Sequence, residues 1–159
     1  MASALHAVEA TGVARFMREA LYAYPVTETV HITGLALLFG SIAIVDLRLL
    51  GLGKRIPLSA LVAFAVPWSI VGFIVAAGAG SLMLVAHANE FLTLPLFWIK
   101  MTLIVLAGSN ALLLHRGALR NAAALDAMTV TPPRLRVAAA LSLVLWLGVI
   151  ACGRFLAYL

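Results

Sequence analysis

Five ionisable side chains recur at a similar depth within otherwise apolar sequence: Glu28, His31, His87, Lys100 and Arg154. Glu28 and His31 are spaced i,i+3, so on a helix both project from one face. His87 closes a second apolar stretch, Lys100 lies early in a third, and Arg154 lies near the end of a fourth. Polar groups placed in apolar surroundings are costly, and each such group is a candidate site.

Three chemistries compete for this layer. His31 and His87 could supply the two axial ligands of a haem b in a helical bundle, with Arg154 or Lys100 pairing with the propionates and Gly34, Gly78 and Gly80 leaving room for the macrocycle. Glu28, His31 and His87 could hold a single copper or zinc ion. A di-iron centre is not expected, because the Glu-x-x-His spacing occurs once and such a centre needs it twice, with two further glutamates. The third reading requires no ligand: Glu28 pairs with Lys100 or Arg154, His31 caps the network, and the charges select which helices are neighbours.

A second polar layer holds Asp46, Arg48, Asn110 and His115. Here the expectation is structural. Asp46 pairs with Arg48, Arg116 or His115 near a membrane surface, where charged side chains snorkel cheaply. Asn110 forms an interhelical hydrogen bond. His6 is expected on a solvated face, and the lone Cys152 excludes an intrachain disulfide and any multi-cysteine metal site. No glycine-rich phosphate loop, Ser-His-Asp set or cysteine motif is present.

The elements that must carry these residues follow from composition. Of 159 residues, 64% are hydrophobic and 11% charged, well below the charged share of about a quarter that a soluble domain uses. Lipid as solvent removes that requirement. The chain therefore reads as all-α: a single integral membrane domain over residues 1–159, built as a four-helix bundle with an N-terminal amphipathic interfacial helix. The surface helix covers residues 1–24, with Leu5, Val8, Gly12 and Phe16 at helical spacing and Glu9, Arg15, Arg18 and Glu19 on other faces. Its charges interrupt any apolar core of a cleavable signal. Spans are expected at about 26–50, 58–86, 96–114 and 135–156, each long enough to cross roughly 30 Å of hydrocarbon. Pro67 with Gly72, Gly78 and Gly80 predicts a kink and close helix contact in the second span.

Net charge is +5, but the basic residues cluster in two loops rather than forming a nucleic-acid surface. Arg48, Lys54 and Arg55 flank the first loop, and Arg116, Arg120, Arg134 and Arg136 the third. The positive-inside rule makes those loops cytoplasmic and both termini external, in a bacterial-type inner membrane. The partner implied is the lipid bilayer, with a homo-oligomer or a larger membrane complex as context.

Tyr24-Pro25, Glu28, His31-Ile32, Gly34 and Asp46-Leu47-Arg48-Leu49-Leu50-Gly51 resemble the opening of a family of small bacterial inner-membrane proteins that carries a domain of unknown function. Ala107-Gly108, Asn110-Ala111 and His115-Arg116 are similar to its third helix. Pro132-Pro133, Leu145-Trp146-Leu147-Gly148 and Gly153-Arg154 are similar to its last loop and helix. The resemblance covers nearly the whole chain. It implies four helices and places Glu28, His31, Asp46, Arg48, Lys100, Asn110, His115 and Arg154 at recognisable positions, whereas His87 matches none. The functional expectation is a b-type cytochrome-like electron-transfer module or subunit binding haem at the outer side. Its rival is a non-redox structural, assembly, proton or small-solute protein organised by the buried network.

Overall fold

A computed structural model describes residues 2–128 and 130–158; Met1, at the start of the expected surface helix, and Thr129, in the third loop, lie outside the described residues, as does Leu159. The architecture is all-α, with no strand among the described residues. Four helices are long and apolar enough to cross a membrane: α3 (Ala23–Leu50), α4 (Leu58–Ala86), α6 (Pro95–Arg116) and α8 (Pro133–Leu156). At 1.5 Å per residue, the 22 residues of α6 span about 33 Å and the 29 residues of α4 about 43 Å. Their outward faces carry exposed Ile74, Val105, Leu113 and Val144. Such a continuous apolar surface suits lipid rather than water. The protein is a membrane protein by construction of its surface.

The helices begin and end where local chemistry dictates. Pro25 sits in the first turn of α3, where its missing N–H costs nothing. Gly51, at φ 107°, stops α3 in a left-handed cap, a conformation that side chains with a Cβ resist. Pro95 and Pro133 open α6 and α8. α4 runs unbroken through Pro67.

Packing follows the order α4–α3–α8–α6. The α3–α4 pair is the most extensive, α6–α8 is the second, and α3–α8 joins the pairs. α3 and α4 touch backbone to backbone at Gly34 and Gly72. A Cβ on Gly72 would lie 2.5 Å from the Leu38 amide nitrogen, and one on Gly34 would lie 2.6 Å from that of Ala76. Small residues permit this approach, which replaces a hydrophobic driving force that lipid does not supply. α4 and α6 are not intimate neighbours along their length. At the basic-loop end α4 packs instead on the segment that follows α6: Leu58, Val62 and Ala65 share one apolar cluster with Leu119 and Ala122, which Leu114 of α6 joins. A second cluster of Leu38, Ala107, Leu145, Trp146 and Val149 crosses the middle of the bundle.

The first 24 residues differ from the single helix expected. They form α1 (Ala2–Glu9) and α2 (Gly12–Glu19), broken at Ala10–Thr11. Thr11 caps α2 by accepting from the Ala14 amide at 3.3 Å, which favours a new start over continuation. The pair is also tied to the bundle rather than only resting on lipid. Arg18 donates to the Ala86 carbonyl at 2.8 Å and to the Glu9 carbonyl at 2.7 Å. Glu9 accepts from the Asn89 amide at 2.8 Å. The short connection expected over 89–95 therefore contains a helix, α5 (Ala88–Thr93), with Glu9 capping its start. The longest loop folds into a 3₁₀ turn (Ala118–Asn121) and α7 (Ala122–Asp126).

Candidate functional site

Two cavities lie between α4 and α6, floored by one face of α3 and by α8. The central apolar cluster separates them. The first, of about 400 Å³, is at the end of the bundle that holds both termini.

Glu28, His31, Lys100 and Arg154 all line this first cavity, so four of the five residues in the expected layer converge on it. Its walls are apolar, with Leu35, Phe39, Met83 and Phe97 among them. The His31 Nδ1 lies 2.7 Å from the Ala76 carbonyl. A carbonyl only accepts, so Nδ1 carries the proton and a neutral ring keeps Nε2 free. The ring rests against Gly80, where a Cβ would stand 3.0 Å from Cε1. A methyl group here would press on the imidazole and push it by a few tenths of an ångström. The Lys100 Nζ packs against Gly153 of α8, 3.2 Å from where a Cβ would be. The Arg154 guanidinium sits 4.6 Å from the Tyr158 ring centroid and donates to the Tyr158 hydroxyl.

His87 is elsewhere. Its ring meets Tyr24 and Phe91 edge-on, its Nδ1 is 3.2 Å from a Glu90 carboxylate oxygen, and it does not line the cavity. The turn that ends α4 at Ala86 sets it against Tyr24, about two helical turns before His31 along α3. The structure thus does not assemble a His31–His87 ligand pair or a Glu28–His31–His87 metal triad. No group of three or more metal-ligating His, Cys, Asp or Glu side chains forms among the described residues. Glu28 likewise makes no ion pair with Lys100 or Arg154: the sole ion pair among the described residues joins His87 and Glu90. The glycines divide differently from expectation. Gly80 borders the cavity, Gly34 is filled by the α4 backbone, and Gly78 has nothing within 4 Å.

The second layer also rearranges. Arg48 donates to the Ile56 and Lys54 carbonyls at 2.8 and 3.3 Å, closing the first loop instead of pairing with Asp46. Asp46 is 3% exposed and faces the second cavity, of about 250 Å³, which His115 also lines. Asn110 donates from α6 to the Ala138 carbonyl of α8 at 3.0 Å. Asp126, in the third loop, accepts from the Leu58 and Ser59 amides at 2.5 and 3.2 Å and caps α4. The hydrogen bond from Asn89 holds the Glu9 carboxyl below its ordinary range, chiefly through the backbone amide.

No curated protein and no solved structure matches the chain significantly. A family profile does match, over residues 12–159, and it spans every transmembrane helix and both cavities. The chain therefore belongs to the family of unknown function DUF6644.

Proposed function

We propose that this protein is a ligand-binding membrane module whose working site is the cavity at the termini end, and that its ligand is an apolar molecule with anionic end groups, assigned here as haem b. The observation that carries the reading is the His31–Ala76 contact. A ligating histidine characteristically gives its other ring nitrogen to a carbonyl or carboxylate, which sets the tautomer and the ring orientation. His31 does so at 2.7 Å inside a cavity of about 400 Å³, a volume within the roughly 300–1,000 Å³ of small-molecule sites.

The residues present fit one protein axial ligand. His31 would bind through Nε2, Lys100 and Arg154 would pair with propionates, and the apolar wall would cover the macrocycle. Met83 is the other soft donor on that wall; His87 has no part in the assignment. Haem supplies one-electron chemistry, and the chain contributes the ligand field, the counter-charges and exclusion of water. Electron transfer needs a donor and an acceptor, a role that suits a subunit of a larger membrane complex. Seven basic residues flanking two loops on one side support a bacterial inner-membrane setting with both termini outside. The rival reading, a non-redox bundle organised by Glu28 with Lys100 or Arg154, lacks the direct ion pair it calls for.

The test is absorption and iron content of protein purified from membranes. A Soret band is expected in the wild type and in His87→Ala, and its loss in His31→Ala. Colourless, iron-free wild-type protein sinks the assignment.

A further inference from the structure

Asp46 is the one charged side chain buried in the bundle among the described residues, and nothing established so far employs it. It is 3% exposed, its Oδ2 has no hydrogen-bond partner, and it lines the cavity of about 250 Å³. No cation stands within ion-pair distance of it among the described residues. The basic group nearest in sequence, Arg48, is committed to loop carbonyls. A carboxylate held this way in hydrocarbon is far out of balance unless something brings a positive charge to it.

We propose that this cavity is a binding site for a small monovalent cation, a sodium ion, centred on Asp46. Oxygen donors converge there from three helices: the Asp46 carboxyl and Ser41 from α3, Ser69 from α4, and Ser142 from α8. Ser142 is 2% exposed and lines the same cavity as the Asp46 carboxyl. Ser69 gives its proton to the Val66 carbonyl at 2.7 Å, so its oxygen lone pairs are available to a cation. All-oxygen surroundings suit hard cations. Charge selects the valence. One carboxylate neutralises one positive charge, and a divalent ion would leave an uncompensated charge in a low-dielectric interior. The alternative occupant is a proton on Asp46, which would neutralise the carboxyl but leave Oδ2 without a hydrogen-bond partner. His115, from α6, is the other titratable side chain on the cavity wall. It is exposed and makes no ion pair among the described residues, so it does not supply the missing charge.

The site is independent of the haem assignment, and its test does not use absorbance. Wild-type protein in detergent is unfolded thermally in choline chloride, and then with sodium chloride replacing choline at constant ionic strength. Radioactive sodium binding is measured in parallel. The expected result is a melting temperature that climbs with the logarithm of sodium concentration above the dissociation constant, with one sodium retained per chain. Both effects should vanish in Asp46→Asn and weaken by about tenfold or more in affinity in Ser142→Ala. If Asp46→Asn fails to fold, sodium binding to the wild type and to Ser142→Ala decides the matter. Equal melting in sodium and choline with no retained sodium overturns the proposal. So does sodium binding that survives Asp46→Asn, or that is unchanged in Ser142→Ala.

Discussion

Replacing Gly72 with alanine tests whether the α3–α4 contact is as unforgiving as its geometry indicates. The added methyl would stand 2.5 Å from the Leu38 amide nitrogen, 2.8 Å from the Gly34 carbonyl oxygen and 2.9 Å from the Leu38 Cα. All three are backbone atoms, so no rotamer change relieves the clash. Restoring an ordinary contact of 3.4 Å requires the helices to part locally by about 0.9 Å. A gap of that size forfeits roughly a quarter to a half of the dispersion energy of the atoms it separates. Overpacking of this kind costs about 1–3 kcal/mol, which lowers the melting temperature of a chain this long by roughly 2–4 °C per kcal/mol. The same opening draws the Ala76 carbonyl from His31 and loosens the imidazole. Tryptophan fluorescence during thermal unfolding in detergent is a sufficient assay. Gly40→Ala and Gly78→Ala serve as controls, because their methyl groups would meet nothing within 4 Å; both should be neutral or slightly stabilising. If Gly72→Ala melts with these controls, the close backbone contact does not carry the stability assigned to it.

Two other perturbations probe the supports of the site. Asn110→Leu removes the hydrogen bond from α6 to the Ala138 carbonyl, and denaturant unfolding should show a loss of about 0.6 kcal/mol, the average for interhelical hydrogen bonds in membranes; a loss several times larger would mean that Asn110 organises more than one contact. Glu9 has a folded pKa below its ordinary 4.5, so its stabilisation of α5 is fully present above that value and is lost as pH falls through the lower, folded one. Amide protection over residues 88–93, corrected for the intrinsic slowing of exchange in acid, should fall as pH drops below about 4.5 in the wild type. Glu9→Gln should be less protected at neutral pH, with protection that depends less on pH. A pH response that persists in Glu9→Gln would assign the attachment to another group.

Much of the architecture is legible from composition alone. Four long apolar stretches must become helices, because hydrocarbon offers backbone amides no other partner. Glu28, His31, Lys100 and Arg154 were recognisable for the same reason: an ionisable group in such a stretch is too costly to be incidental. Depth along each helix follows from residue counting at 1.5 Å per residue. These properties belong to each segment separately, and no neighbour is needed to read them.

Partnership is different, since it depends on azimuth and on which helices touch. His87 matched His31 in depth, yet a turn at the end of α4 directs it to Glu90 and Tyr24. Arg48 lies two residues from Asp46, but successive positions on a helix face different ways. Loop carbonyls claim the guanidinium, and the carboxyl is left to the cavity. Glu9 and Asp126 carried no local pattern, because the amides they cap lie 80 and 68 residues away in sequence. Hydropathy is a sum over a segment and survives without a fold. A hydrogen bond or an unpaired charge is a relation between two positions, and only the packing of α3 on α4 and α8 settles which pairs exist.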